Sequence, residues 1–149
     1  MRRFFRYPFY SFHPLPSVVL TALLSASCGK EDTSPALPDP PTNIQVVLSN
    51  IEYSALRQDG GFVRLAGGTY GIVLYRANAT TYRAFERLCP YQPQTHCAKM
   101  NVDPSTLFLR DSCCGTQWNF EGDATGGPGA RPLKQYNTTL SGGVLYITN

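Results

Sequence analysis

From Ile44 to the end of the chain, hydrophobic and polar residues alternate with a period of two or form short apolar runs between turn residues. Asp59-Gly60-Gly61 and Ser141-Gly142-Gly143 mark turns, because glycine adopts a positive φ without steric cost. Glycine and proline interrupt the remaining candidates, so no long helix is predicted. The pattern predicts an all-β antiparallel sandwich or barrel. Its predicted strands cover residues 44–48, 62–65, 70–76, 81–87, 107–110, 118–120, 133–136 and 144–148.

The first 27 residues are predicted to be an export signal. Arg2, Arg3 and Arg6 precede an apolar run at 18–27 that is too short to span a bilayer. The run ends in small residues directly before Cys28, which resembles a bacterial lipoprotein signal. In such a signal the Cys28 thiol is acylated and attaches the mature chain to a membrane. An ordinary secretory signal and an uncleaved anchor are the alternatives.

Residues 28–43 are predicted to be a tether, since four prolines between residues 35 and 41 favour an extended polyproline II conformation. Lys30-Glu31-Asp32 resembles a surface-export signal of some Gram-negative lipoproteins, and a plain polar tether is the alternative interpretation. The predicted location is therefore the bacterial cell envelope, lipid-anchored at the outer membrane and either facing the periplasm or exposed at the cell surface.

The charge of the mature chain gives no indication of nucleic-acid binding. The formal net charge is +3, but the three arginines of the predicted signal account for that excess. The remainder has ten basic and ten acidic residues, and so lacks the positive footprint of a nucleic-acid-binding protein.

Four of the five cysteines lie in two short loops. The first reads Cys89-Pro90-Tyr91 and continues to Cys97, and the second is Asp111-Ser112-Cys113-Cys114-Gly115-Thr116. A third loop, Gly126-Gly127-Pro128-Gly129, follows. The order of these loops resembles a Rieske [2Fe–2S] domain, and the resemblance covers residues 44–149. It implies a Rieske-like antiparallel sandwich or barrel with a small loop subdomain.

The resemblance also implies where cluster ligands would stand. Rieske domains use C-x-H from the first loop and C-x-x-H from the second, so that two histidines hold one of the two irons. The equivalent positions here are Cys89, Tyr91, Asp111 and Cys114. Tyrosine, with a pKa near 10, is a poor ligand in this setting. His96 fits neither histidine position and is predicted to be a surface residue, so we expect no standard cluster and no cofactor.

An exported domain meets oxidising conditions, so the four loop cysteines are expected to form disulfides. A bond between the adjacent Cys113 and Cys114 would strain the peptide. Some Rieske domains pair cysteines near the two loops, and that resemblance implies Cys97–Cys113, with Cys89–Cys114 then bridging the vacated cluster position. The alternative pairs Cys89 with Cys113 and Cys97 with Cys114.

Three functions are compatible with these residues. The first is a non-redox structural or binding module that has lost the cluster ligands, anchored to the membrane through Cys28 and recognising an unidentified protein. The chain has neither a G-x-S-x-G nor an H-E-x-x-H motif, so no enzyme is predicted.

The second function is that of an electron-transfer protein with an atypical [2Fe–2S] cluster. Its ligands would be Cys89, Asp111, Cys114 and either Tyr91 or His96.

The third is a zinc site formed by all four loop cysteines, Cys89, Cys97, Cys113 and Cys114. Zinc-binding cysteines are usually separated by at least two residues. Two adjacent cysteines reach one ion only with difficulty, which disfavours this site.

Overall fold

The computed structural model describes residues 36–97 and 99–149 of the chain. The predicted signal, the candidate acylation site Cys28 and the tether up to residue 35 lie outside the described residues. Within these residues, ten strands form two antiparallel sheets, accompanied by one 3₁₀ helix, which confirms the prediction of an all-β fold. In the part of the chain that is described, no helix is long and apolar enough to cross a membrane.

The larger sheet has six strands and curls into a half-barrel. Its spatial order is β1-β10-β9-β4-β3-β2, and every pairing is antiparallel. The 3₁₀ helix, Ile51–Arg57, connects β1 to β2. The strands of this sheet are β1 (Asn43–Val47), β2 (Phe62–Leu65), β3 (Ile72–Arg76), β4 (Tyr82–Glu86), β9 (Gln135–Ser141) and β10 (Val144–Thr148).

The smaller sheet has four strands in the order β5-β6-β7-β8. It continues from the end of β4, where Leu88 forms a bridge with Lys99 and the Met100 N–H donates to the Arg87 carbonyl at 2.7 Å. These strands are β5 (Met100–Val102), β6 (Leu109–Asp111), β7 (Gln117–Trp118) and β8 (Ala124–Gly126).

This order brings the three special loops together. The first Cys loop joins β4 to β5, and the second joins β6 to β7. Because β7 and β8 are antiparallel, Gly126 at the end of β8 lies opposite Gln117 at the start of β7. The Gly-Pro loop therefore begins beside the second Cys loop.

Two apolar cores lie on opposite faces of β3 and β4. Ile72, Leu74 and Ala84 belong to the core inside the half-barrel, whereas Val73 and Phe85 belong to the core shared with the smaller sheet. This alternation explains why the run at 72–74 is apolar throughout, since both faces are covered. The second core also contains Cys89, Met100, Leu109, Trp118 and Leu133. The first Cys loop therefore begins inside this core, at Cys89.

Several boundaries differ from the predicted strands. β3 begins at Ile72 rather than at residue 70, because Gly67, Gly68 and Gly71 adopt positive φ values of 122°, 60° and 99° in the preceding turn. β9 begins at Gln135, since the Leu133 N–H instead donates to the Gly122 carbonyl at 2.8 Å.

Three elements were not predicted: β5, β8 and the 3₁₀ helix. The two strands have three residues each, too few for a period-two pattern to stand out. The 3₁₀ helix buries only Leu56 among its seven residues, so it presents no helical apolar face.

The last residues of the predicted tether pack against the domain. Thr42 is buried, and its N–H donates to the Asn149 side-chain oxygen at 2.8 Å. Asp39 forms an ion pair with Lys134. The folded part therefore begins a few residues before Ile44.

Candidate functional site

The candidate site lies where the first and second Cys loops meet. Cys89 comes from the first loop, Asp111 ends β6, and Cys114 belongs to the second loop. One sulfur or carboxylate oxygen of each lies within 4.8 Å of the other two, and the two sulfurs are 3.8 Å apart. The structure thus brings together three of the four positions that the Rieske resemblance implied.

The remaining candidate ligands do not join this group. Tyr91 leaves 37% of its surface exposed, and His96 is exposed as well. Among the residues that the structure describes, no other set of three His, Cys, Asp or Glu side chains converges in this way.

Asp111 organises the second Cys loop. Its Oδ1 accepts hydrogen bonds from the backbone N–H groups of Cys113 at 2.6 Å and Cys114 at 2.9 Å. Its Oδ2 is buried and has no hydrogen-bond partner among the described residues. The Cys89 thiol interacts with the Asp111 side chain, but no hydrogen bond of ordinary geometry from a described residue reaches Oδ2, so this buried oxygen carries a desolvation cost.

Cys89 is fully buried and its thiol is unreactive in character. Burial raises the pKa of Cys89 to about 12, an effect opposed by the backbone N–H groups of Tyr91 and Gln92 and reinforced by Asp111. A thiol held in its protonated form is a weak nucleophile. Cys114 is half-buried, and its sulfur lies 3.1 Å from the Thr116 hydroxyl oxygen.

The Gly-Pro loop covers the second Cys loop through close backbone contact. The Gly129 N–H donates to the Thr116 hydroxyl oxygen at 3.0 Å. A Cβ on Gly127 would lie 2.6 Å from the Thr116 Cα, so only glycine permits this approach. The Trp118 indole N–H donates to the Arg131 carbonyl at 2.9 Å and fixes the far end of the loop.

Glu86 is a fully buried carboxylate at the end of β4, where the first Cys loop begins. It supports this end of the loop. Its two oxygens accept hydrogen bonds from three backbone N–H groups and from one tyrosine hydroxyl. The donors are Thr69 at 2.7 Å, Tyr70 at 3.0 Å, Leu88 at 3.1 Å and the Tyr136 hydroxyl at 2.8 Å. Burial, and then Glu86, raises the pKa of Tyr136 above its ordinary value, so the hydroxyl remains a donor.

The four loop cysteines differ in their bonding. Cys97 and Cys113 form a disulfide, and this bond ties the two Cys loops together. The second expected bond is absent: Cys89 and Cys114 are free thiols with sulfurs 3.8 Å apart, against about 2.05 Å in a disulfide. In this structure Cys97 is bonded to Cys113, so the alternative pairing and the zinc site of all four loop cysteines are not formed.

Two residues of the site were missed by sequence reasoning. Glu86 stood at an uncertain place in the predicted alternation of residues 81–87, and a charged residue on an inward-facing strand position was the available signal. Thr116 gave no signal, because a threonine in a turn is ordinarily exposed.

A scan of the chain against protein-family models finds no match, and a search of curated proteins finds none either.

Proposed function

We propose that the chain is an envelope lipoprotein whose β domain is a Rieske-like, non-redox structural or binding module. The observation that carries this proposal is the donor set at the candidate site. A [2Fe–2S] cluster takes four protein ligands, and a Rieske centre takes two of them as histidines. The candidate site offers Cys89, Asp111 and Cys114, with no imidazole among them. These residues do not fit the cluster that the resemblance would imply.

The rigidity of the loops supports a role in binding or support. The Cys97–Cys113 disulfide joins the two Cys loops, and the Thr116 hydroxyl joins the second of them to the Gly-Pro loop. Loops held in one conformation lose little entropy when they contact a partner. We therefore propose that a protein partner is recognised at this end of the domain, and that no enzymatic reaction takes place there.

An electron carrier with an atypical [2Fe–2S] cluster is the second candidate. It is favoured by one specific observation, the convergence of two cysteine sulfurs and a carboxylate beneath the Gly-Pro loop. Such a cluster would need a fourth donor. Either Tyr91 or His96 would have to move inward to supply it, because both are exposed.

Protein prepared without oxygen separates the two candidates, because air destroys exposed clusters. We expect the full chain to be colourless and, after reduction, to give no electron paramagnetic resonance signal of a [2Fe–2S] centre. A brown protein with that signal would make the electron carrier the correct function.

Membrane attachment is proposed to occur through an acylated Cys28. Buried acyl chains supply affinity at about 0.8 kcal/mol per CH₂ group. Cells grown with a labelled fatty acid should label the wild-type chain and leave Cys28→Ala unlabelled. Equal labelling of the two chains would refute the assignment.

A further inference from the structure

We propose that Cys89, Cys114 and Asp111 form a mononuclear site for a divalent metal ion of the Zn²⁺ class, with two sulfurs and Oδ2 as ligands and a fourth position left for water. This inference rests on the proposed function and deepens it. A single redox-inactive ion would be a structural ligand of the non-redox module.

The spacing of the sulfurs matches ligands of one ion. Zinc–thiolate bonds are about 2.3 Å long, so two thiolates at adjacent corners of a tetrahedron are about 3.8 Å apart. The sulfurs of Cys89 and Cys114 are 3.8 Å apart. The distance between the two sulfurs therefore already fits a tetrahedral ion bound by both.

The carboxylate of Asp111 supplies an independent indication. Its Oδ1 is fixed by the N–H groups of Cys113 and Cys114, while its buried Oδ2 lacks a hydrogen-bond partner among the described residues. A carboxylate oxygen of Asp111 lies within 4.8 Å of both sulfurs. A ligating carboxylate commonly has this division, with one oxygen on the metal and the other held by hydrogen bonds. An ion would remove the cost of leaving Oδ2 unpaired.

Burial disfavours a free thiolate at Cys89, so the charge of the bound ion has to offset that cost. The N–H groups of Tyr91 and Gln92 form hydrogen bonds with the Cys89 sulfur, and the Thr116 hydroxyl lies beside the Cys114 sulfur. On binding, each thiol releases its proton to solvent, and the charge of the ion replaces those protons. Only one of the adjacent cysteines takes part, because Cys113 is in the disulfide.

The donor set selects the class of ion. Thiolates favour zinc and similar borderline ions, whereas Mg²⁺ and Ca²⁺ are bound through oxygen alone. Two sulfurs and one carboxylate oxygen thus favour Zn²⁺, and Co²⁺ is a suitable coloured substitute in the same geometry.

The test is a Co²⁺ titration of the full chain carrying Cys28→Ala, Cys97→Ser and Cys113→Ser, kept reduced and free of oxygen. Cys89 and Cys114 are then the only thiols. The disulfide-bearing Cys28→Ala chain is titrated in parallel without reductant. We expect one ion per chain, with thiolate-to-cobalt charge-transfer absorption and intense visible bands of tetrahedral Co²⁺, all abolished by Zn²⁺. Absence of the charge-transfer absorption in both chains would overturn the inference.

Asp111→Asn tests the third ligand, because asparagine keeps an oxygen for the Cys113 and Cys114 N–H groups while an amide nitrogen replaces Oδ2. We expect its affinity for Co²⁺ to fall at least about tenfold, the lower limit for outer-shell partners of a metal site. Asp103→Asn is the matched control, since Asp103 likewise accepts a backbone N–H, from Ser105 at 2.9 Å, but lies outside the site. Equal affinities in these two variants would overturn the role of Asp111.

The outcomes also separate this inference from the proposed function. A colourless protein that takes up no ion would refute the metal site and leave the non-redox module standing. A brown [2Fe–2S] protein would refute both.

Discussion

Glu86→Ala should lower the free energy of unfolding by about 4 kcal/mol, since removing one partner of a buried charged network typically costs 3–5 kcal/mol. The substitution leaves three backbone N–H groups and the Tyr136 hydroxyl without their acceptor in a buried place. Each unsatisfied donor carries a desolvation cost of about 1–3 kcal/mol, partly relieved where water can enter. Denaturant unfolding followed by circular dichroism measures the loss.

Two further variants make this result specific. Glu121→Ala removes an exposed carboxylate that pairs with Arg83 at 2.7 Å, and we expect it to cost less than about 1 kcal/mol. The loss of unfolding free energy in Glu86→Gln should lie between those of Glu86→Ala and Glu121→Ala. The glutamine amide nitrogen would face hydrogen-bond donors where Glu86 now has an acceptor oxygen. If Glu86→Ala were no more destabilising than Glu121→Ala, Glu86 would not support the first Cys loop.

Trp118→Ala should lower the free energy of unfolding by about 3–5 kcal/mol, the range for removing a large aromatic side chain from a core. Trp118 is fully buried in the second core, and its indole N–H holds the Arg131 carbonyl at the end of the Gly-Pro loop. The variant should also make Cys114 more reactive towards thiol reagents, since the Gly-Pro loop, which contacts Thr116 beside Cys114, loses its anchor.

Trp118→Phe is the matched control, because phenylalanine retains most of the apolar ring and loses only the indole donor. We expect it to cost about 1–2 kcal/mol, chiefly from the unpaired carbonyl and the smaller volume. Trp118 is the only tryptophan, so unfolding must be followed by circular dichroism rather than by fluorescence. A loss as large in Trp118→Phe as in Trp118→Ala would show that the hydrogen bond, and not the packing, dominates.

The strands that the sequence predicted well are those with a strong apolar pattern. β3 and β4 combine buried branched and aromatic residues with clear turns on either side, so their positions could be read from the chain. β5 and β8 have three residues each and pair with their sequence neighbours β6 and β7, so neither is long enough to show a period-two pattern of its own. Tertiary context decides such short elements.

The candidate site was predictable in its residues but not in its bonding. The Rieske resemblance implied Cys89, Asp111 and Cys114 as three of the four ligand-equivalent positions, and the structure brings these three together. Whether two nearby sulfurs bond depends on sub-ångström positions that a sequence does not specify. Here Cys89 lies among backbone N–H groups of its own loop and Cys114 beside Thr116.

The burial of Asp111 could not be foreseen either. The sequence Asp111-Ser112-Cys113 is typical of a turn, in which the aspartate is exposed. It is buried because it ends β6 beneath its own loop, where Oδ1 accepts two backbone N–H groups.

Acid-labile sulfide, measured per chain on protein prepared without oxygen, tests the central claim most directly. Sulfide is present in every [2Fe–2S] cluster and absent from a disulfide, a free thiol pair and a mononuclear metal site. The account predicts no sulfide in the full chain, whether or not a divalent ion is bound. Two sulfides per chain, accompanied by two irons, would contradict it.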